Sequence, residues 1–217
     1  MKKINLLLAL SVAACSTASI AQGEVNYSLN LKSWNNSFKD RRDTSNSTNS
    51  SVVSLTAKKD AFYLTASTIL PTTYTFNNGK YLDRRDTDIA IGWMVNPNVS
   101  LLGGIKKASV DSYDYSGSNT SKTTSDYDIN YIGVNGFKSV SERQFIFGTA
   151  TRSLNASQSS NGTKTTGHTY TTLEAGFGHV LSNETQLTVA YRMQDLKFPD
   201  GGYAKLGGII FGANFNF

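Results

Sequence analysis

The nine residues that end the chain, Ile209-Ile210-Phe211-Gly212-Ala213-Asn214-Phe215-Asn216-Phe217, put an apolar side chain at every odd position and close on an aromatic ring. Gly212, Asn214 and Asn216 take even positions. Successive side chains of an extended strand point to opposite faces, so this segment carries one apolar stripe and one small or polar stripe. Such a strand is suited to hydrocarbon on one side and water or a polar interior on the other.

The same rhythm divides the rest of the chain. Alternation predicts strands over Glu24 to Trp34, Ser51 to Lys58, Ala61 to Leu70, Arg84 to Val95 and Val99 to Ser109. It continues over Asp126 to Phe137, Arg143 to Leu154, Gly167 to Val180, Thr185 to Leu196 and Tyr203 to Phe217. Outward stripes are read as Ile89, Ile91, Trp93 and Val95 on the fourth segment, Tyr127, Ile129 and Tyr131 on the sixth, and Phe145 and Phe147 on the seventh. Short connections such as Lys58-Lys59-Asp60 and Asn96-Pro97-Asn98 alternate with long ones. Short turns at one end and long loops at the other are the pattern of an up-and-down transmembrane barrel, with an even strand number and both termini at the short-turn, periplasmic side. The expected fold is therefore all-β, an antiparallel barrel of ten strands. Eight strands follow if the second and third segments do not both cross.

A hydrophobic content of 39% and a mean hydropathy of −0.30 look low for a membrane protein. They exclude a helical bundle, because after residue 21 no apolar run approaches the roughly 20 residues a spanning helix needs. A barrel accommodates them, since only alternate strand residues meet lipid. The segments Ser45–Ser51, Ser116–Ser125 and Ser157–Thr166 are rich in Ser, Thr, Asn and Gly and read as long loops. Aromatic residues gather near the two predicted rims, with Trp93, Phe137, Phe177 and Phe217 at the short turns. Trp34, Tyr81, Tyr127, Tyr170 and Tyr203 lie near the long loops, as interfacial girdles would place them.

The N-terminus reads as an export signal. Lys2 and Lys3 precede an apolar core from Ile4 to Ala14, and Ser19-Ile20-Ala21 fits small-x-small cleavage before Gln22. Residues 1–21 are thus expected to be a signal peptide and 22–217 one barrel domain. Val12-Ala13-Ala14-Cys15 also resembles a lipobox, but Cys15 is read as a small apolar residue of the signal's c-region. It is the sole cysteine, so cleavage after Ala21 leaves no disulfide framework.

On the alternation and the Ile209–Phe217 segment, the chain resembles the small bacterial outer-membrane barrel superfamily that includes the OmpA transmembrane domain, OmpX and the opacity proteins. The resemblance covers the expected mature chain by pattern, and Ile209, Phe211, Ala213, Phe215 and Phe217 are its residue-specific part. It implies that this last strand is read by the barrel-assembly machinery, that the protein resides in the cell outer membrane, and that lipid and lipopolysaccharide are its partners. Ten strands would depart from the eight of those relatives.

Placing apolar stripes outward predicts an inward charge set of Lys32, Arg84, Asp86, Asp88, Lys106, Asp128, Arg152, Glu174, Arg192 and Lys205. Charges at lipid-facing positions near the midplane cost roughly 2–4 kcal/mol, which favours the lumen. Barrels of about eight strands are filled by their own side chains, so ten predicts a largely closed lumen knitted by ion pairs such as Glu174 with Arg192. A closed barrel would act through its extracellular loops, in surface interaction, adhesion or envelope integrity. The alternative is a narrow porin, weakly anion-preferring because the inward bases outnumber the acids.

A hydrolase is the remote third reading. His168 falls near the long-loop rim with Asp83, Asp86 and Asp88 on the fourth segment, and a His–carboxylate pair can activate water. The spacing matches no catalytic motif, and His168 is followed by Thr169 and Tyr170 rather than by the His-x-Ser of lipid A deacylases. No catalytic residue, metal ligand or cofactor site is assigned. A net charge of +5 and a pI near 9.2 reflect Lys39, Arg41, Arg42, Lys106, Lys107, Lys122 and Lys164 as well as the signal lysines. Nucleic acid is not an expected partner of an exported barrel; lipopolysaccharide phosphates or a ligand met by the loops are.

Overall fold

The computed structural model describes residues 25–41, 43–116 and 119–217. The expected signal peptide, Cys15, Glu24 and Arg42 lie outside the described residues. Strands follow as β1 (Asn26–Asp40), β2 (Thr48–Lys59), β3 (Phe62–Thr75), β4 (Tyr81–Asn96), β5 (Val99–Ser116), β6 (Asn119–Ser139), β7 (Gln144–Ser160), β8 (Thr163–Thr166), β9 (Thr169–Val180), β10 (Thr185–Lys197) and β11 (Tyr203–Asn216). Ten of them close a barrel in which every pairing is antiparallel and sequential neighbours lie side by side, with the four-residue β8 appended to β7. Closure is made by β1 and β11, paired from Ser28↔Asn216 to Asp40↔Ala204. A closed ladder leaves no edge inside a membrane, where an unpaired backbone amide has no water to bond.

The short connections are set by local chemistry. Asp60 takes a left-handed φ of 52° between β2 and β3, and Asn96 Oδ1 accepts the Asn98 amide between β4 and β5. At the other end, Asn161 (φ 49°) and Gly162 (φ 77°) form the two-residue turn joining β7 to β8, the Asn-Gly signature of a tight hairpin. Residues 119–125 and 157–166 therefore build strands and a tight hairpin rather than long loops. The β5–β6 ladder runs on to Ser116↔Asn119 and the β6–β7 ladder to Ser125↔Ser160. Their threonines are β-branched and fit an extended ladder, so a composition that reads as loop builds a wall instead. By contrast β10 and β11 part at Lys197↔Tyr203.

An apolar belt rings the outside. Leu31, Leu64, Ile91, Leu101, Val134, Ile146, Leu173, Val189 and Phe211 are each 40% or more exposed. Lipid contact is the environment that suits such a continuous exposed band. Trp93, Phe137, Phe177 and Phe217 mark its short-turn margin. The long-loop aromatics behave differently: Trp34 and Tyr170 are buried inside, Tyr127 packs with the same core, and Tyr81 stacks on Tyr113 at 4.3 Å.

Two outward stripes are corrected. On β6, Tyr131 and Ile129 are buried and Asp128 is exposed; Ile132 and Val134 are the residues that meet the belt. On β7, Phe145 is buried inside and Ile146 points out. A bulge adds to the error, because Asn130 pairs with Asn155 while Tyr131 pairs with Ser153, leaving Leu154 extra and exposed. The physical reason is that the long-loop half of the lumen is apolar. Trp34, Phe38, Tyr74, Phe76, Leu82, Leu206 and Ile210 form one buried cluster there, and Ile129 belongs to a second, smaller one. Tyr127 packs against both.

Candidate functional site

The lumen is where the charged side chains converge. Seven of the ten expected inward charges meet there in two groups. In the first, Arg84 donates from Nε and Nη2 to the two oxygens of Asp86 at 2.7 and 2.8 Å. Lys106 on the next strand reaches Asp86 at 3.3 Å and Asp88 at 3.6 Å. The Tyr131 hydroxyl donates to Asp88 at 2.5 Å, and Arg84 also reaches the Gln194 side-chain carbonyl at 3.4 Å on the far wall. Lys106 lies over the Tyr170 ring, 5.8 Å from its centroid. In the second group, Glu174 accepts from Lys32 at 3.0 Å and from Arg192 through both Nε and Nη2. Arg192 in turn stacks 5.5 Å over the buried Trp34 ring.

The remaining three are not brought in. Asp128 faces outward and pairs with Lys107, also exposed, at 3.5 Å. Arg152 is exposed on the outer wall of β7, on the same face as Leu154 and below the bulge. Lys205 shares the outer face of β11 with Ile209 and Phe211 and lies 5.2 Å over the Tyr203 ring. Asp128 and Arg152 follow from the reversed faces of β6 and β7. Lys205 follows from strict alternation in β11, whose pairing has no bulge. Asp128 and Lys205 lie towards the long loops, where an outward charge meets water or headgroups at little cost, and Arg152 sits opposite the belt residue Ile132.

Two cavities flank the first charged group. One, of about 160 Å³, opens among Phe38, Leu82, Val110, Tyr127, Phe198 and Leu206 at the long-loop end. The other, of about 370 Å³, is lined by Asn30, Ser54, Thr65, Thr149, Thr188 and Asn214 together with Lys32, Glu174 and Arg192. Tyr170 and Gln194 border both. Arg84, Asp86, Lys106, Tyr170 and Gln194 thus form a septum across the lumen. Hydrogen-bonded layers stiffen the walls on either side. Tyr74 donates to Asn36 at 2.8 Å and Asn36 to Ser50 at 2.9 Å, while Asn135 donates to Tyr63 at 2.7 Å.

Sequence reasoning missed Trp34, Tyr131, Tyr170 and Gln194. A signal was present on β1, where Trp34, Asn36 and Phe38 share parity with the inward Lys32. Such a run of large side chains on the lumen face points to a filled interior.

The His168 neighbourhood does not assemble a His–carboxylate pair. His168 Nε2 lies 3.3 Å from Gln158 Oε1, and its ring meets Phe198 and Tyr127 edge-on. Burial among these rings holds its pKa below the ordinary histidine value, with the Asp200 charge opposing. Asp83 accepts instead from Thr73 on the exposed outer face, and Asp86 and Asp88 belong to the septum. Among the described residues no group of three or more His, Cys, Asp or Glu is placed to hold a metal.

Comparison with known proteins supports the architecture. No family model matches the chain, and no curated protein matches it in sequence. Among solved structures, the outer membrane protease OmpT from Escherichia coli superposes with a TM-score of 0.65 at 12% identity, covering 93% of this chain and 100% of that one. The translocator domain of the autotransporter NalP from Neisseria meningitidis gives 0.54 at 11% identity, covering 100% and 96%. The chain shares with both the fold of a closed antiparallel β-barrel.

Proposed function

We propose that the protein is a closed outer-membrane barrel that works through the surface at its long-loop end, in attachment to an extracellular partner or in maintaining the envelope. The observation that carries this reading is the septum. Asp86 pairs with Arg84 on β4 and with Lys106 on β5, and Gln194 meets Arg84 from the opposite wall. Planar-bilayer recordings of the purified protein test it: the expected result is no discrete conductance, and reproducible current steps would overturn it.

The termini lie in the periplasm under this reading, and the long-loop end faces outward. The exposed stripe from Ile209 to Phe217 is what the assembly machinery would read. Lys39, Lys107 and Lys205, on the outer wall beyond the apolar belt, are suited to lipopolysaccharide phosphates. A non-catalytic role is supported by His168, which bonds an amide rather than a carboxylate.

One observation favours a second reading, a narrow anion-preferring pore. Lys32, Arg84, Lys106 and Arg192 face the lumen against Asp86, Asp88 and Glu174, an excess of one positive charge. The same recordings separate the two.

A further inference from the structure

Lysines on the outer wall have different company on the two flanks of the barrel. On the β5–β6 flank Lys107 has Asp128 at 3.5 Å and Lys122 has Asp111 at 3.0 Å. At the closing seam, Lys39 on β1 stands directly opposite Lys205 on β11, and no carboxylate among the described residues pairs with either. Opposed side chains on one face of an antiparallel pair have Cβ atoms about 4.5–5.5 Å apart, where like charges repel. Asp195, the acid opposite Lys205 on β10, does not relieve them, and its Oδ1 is buried without a partner. The Tyr203 ring lies 5.2 Å from the Lys205 ammonium, which orients the cation without neutralising it. Lys197, exposed and opposite Tyr203, adds a third cation at the same end of the wall. Ile209 and Phe211 of the apolar belt share the Lys205 face of β11 towards the short turns, so these lysines stand where the belt gives way to headgroups. Two opposed lysines suit an anion with more than one charge and several acceptor oxygens. A phosphomonoester carries about −1.5 to −2 charges and three such oxygens, whereas a phosphodiester has a single charge. We propose that Lys39 and Lys205 clamp the phosphomonoester of a lipid headgroup across the β1–β11 seam, with Lys197 at its edge. The clamp deepens the reading of these lysines as lipopolysaccharide contacts, and rests on it for the long-loop end facing the outer leaflet.

The test uses the folded barrel in phosphatidylcholine nanodiscs doped with phosphatidic acid, a phosphomonoester lipid, or with phosphatidylglycerol, a phosphodiester lipid, at matched surface potential. Native mass spectrometry reads the lipid each barrel retains. The wild type retains phosphatidic acid over phosphatidylglycerol. Lys39→Gln and Lys205→Gln each weaken phosphatidic acid retention by about tenfold, the effect of losing one charge-assisted hydrogen bond, and Lys122→Gln leaves it unchanged. Equal retention of the two lipids by the wild type, unchanged retention in either seam variant, or an equal loss in Lys122→Gln would each overturn the proposal. So would displacement of the lipid by millimolar inorganic phosphate, which would make the site one for the free ion. Heat-modifiable gel mobility shows that each variant is folded; where one seam variant fails to fold, the other decides. Retention is independent of conductance, so current steps in the wild type would leave the clamp standing, and loss of lipid selectivity would leave the closed barrel standing.

Discussion

Arg84 and Asp86, two residues apart on β4, face the same side of the strand and clasp each other through both arms of the guanidinium at 2.7 and 2.8 Å. A pair separated by two residues lies along its strand and cannot by itself cross the lumen. Crossing is supplied by Lys106 from β5 and Gln194 from β10, which makes Asp86 the hub on which two cations depend.

Removing that hub leaves Arg84 without a carboxylate in the interior and Lys106 with Asp88 alone. Asp86→Ala is expected to lower the unfolding free energy by about 3–5 kcal/mol, the range for a buried pair broken on one side. Urea unfolding of the barrel in lipid vesicles measures it, and a loss below about 1 kcal/mol would contradict the role assigned to Asp86.

Cutting the septum at two points joins the cavities. In Asp86→Ala/Gln194→Ala the lumen keeps Lys32, Arg84, Lys106 and Arg192 against Asp88 and Glu174. Single-channel recordings should then show discrete steps, with a reversal potential shifted in the sense of anion preference. If current stays at the wild-type level, the barrier lies elsewhere in the lumen.

The β5–β6 hairpin carries its own titrating link, beyond the apolar belt. Thr124 donates to Asp111 at 2.6 Å and Lys122 pairs with it at 3.0 Å. The Thr124 hydrogen bond, helped by Lys122, holds the Asp111 carboxyl below its ordinary value of 3.8. With the folded value below the unfolded one, the link stabilises the hairpin above about pH 4 and is lost as pH falls through the folded value. A carbon NMR titration should place the Asp111 midpoint below that of an unpartnered aspartate, and Thr124→Val should raise it. An unmoved midpoint in that variant would rule out the hydrogen bond as the main cause.

The seam between β1 and β11 tolerates no side chain at Gly208. A Cβ there would run into the Asn35 carbonyl and come within 2.7 Å of the Asn36 Cα, both backbone. Gly208→Ala should destabilise the barrel by about 1–3 kcal/mol, as overpacking does elsewhere, and lower the temperature at which the folded band disappears on a gel. Gly136→Ala, with nothing within 4 Å of the added carbon, serves as the neutral comparison.

The barrel itself was legible because lipid imposes a strict alternation. Leu29 and Leu31 on β1, Ile89 to Val95 on β4 and Ile209 to Phe217 on β11 all point where their parity says. The lumen was less legible because its filling is not uniformly polar. Ile129, Tyr131 and Phe145 are as apolar as the belt residues beside them, and hydropathy alone cannot tell a ring facing lipid from one facing a packed interior. Nor can a single parity be carried through β7, where the bulge at Leu154 shifts the phase by one. The septum needed cross-strand register, which sets Asp88 opposite Lys106 and brings Asp86 within its reach. Tyr170 and Gln194 carry no charge to betray their place.

The unequal ladders give the mouth a high side and a low side. On β5 the paired strand climbs from the belt residue Ile105 to Ser116, whereas on β10 it climbs only from Met193 to Lys197. A solute diffusing along the bilayer plane therefore meets a parapet on one flank and a low sill on the other. The rim is therefore lowest where β10 meets β11.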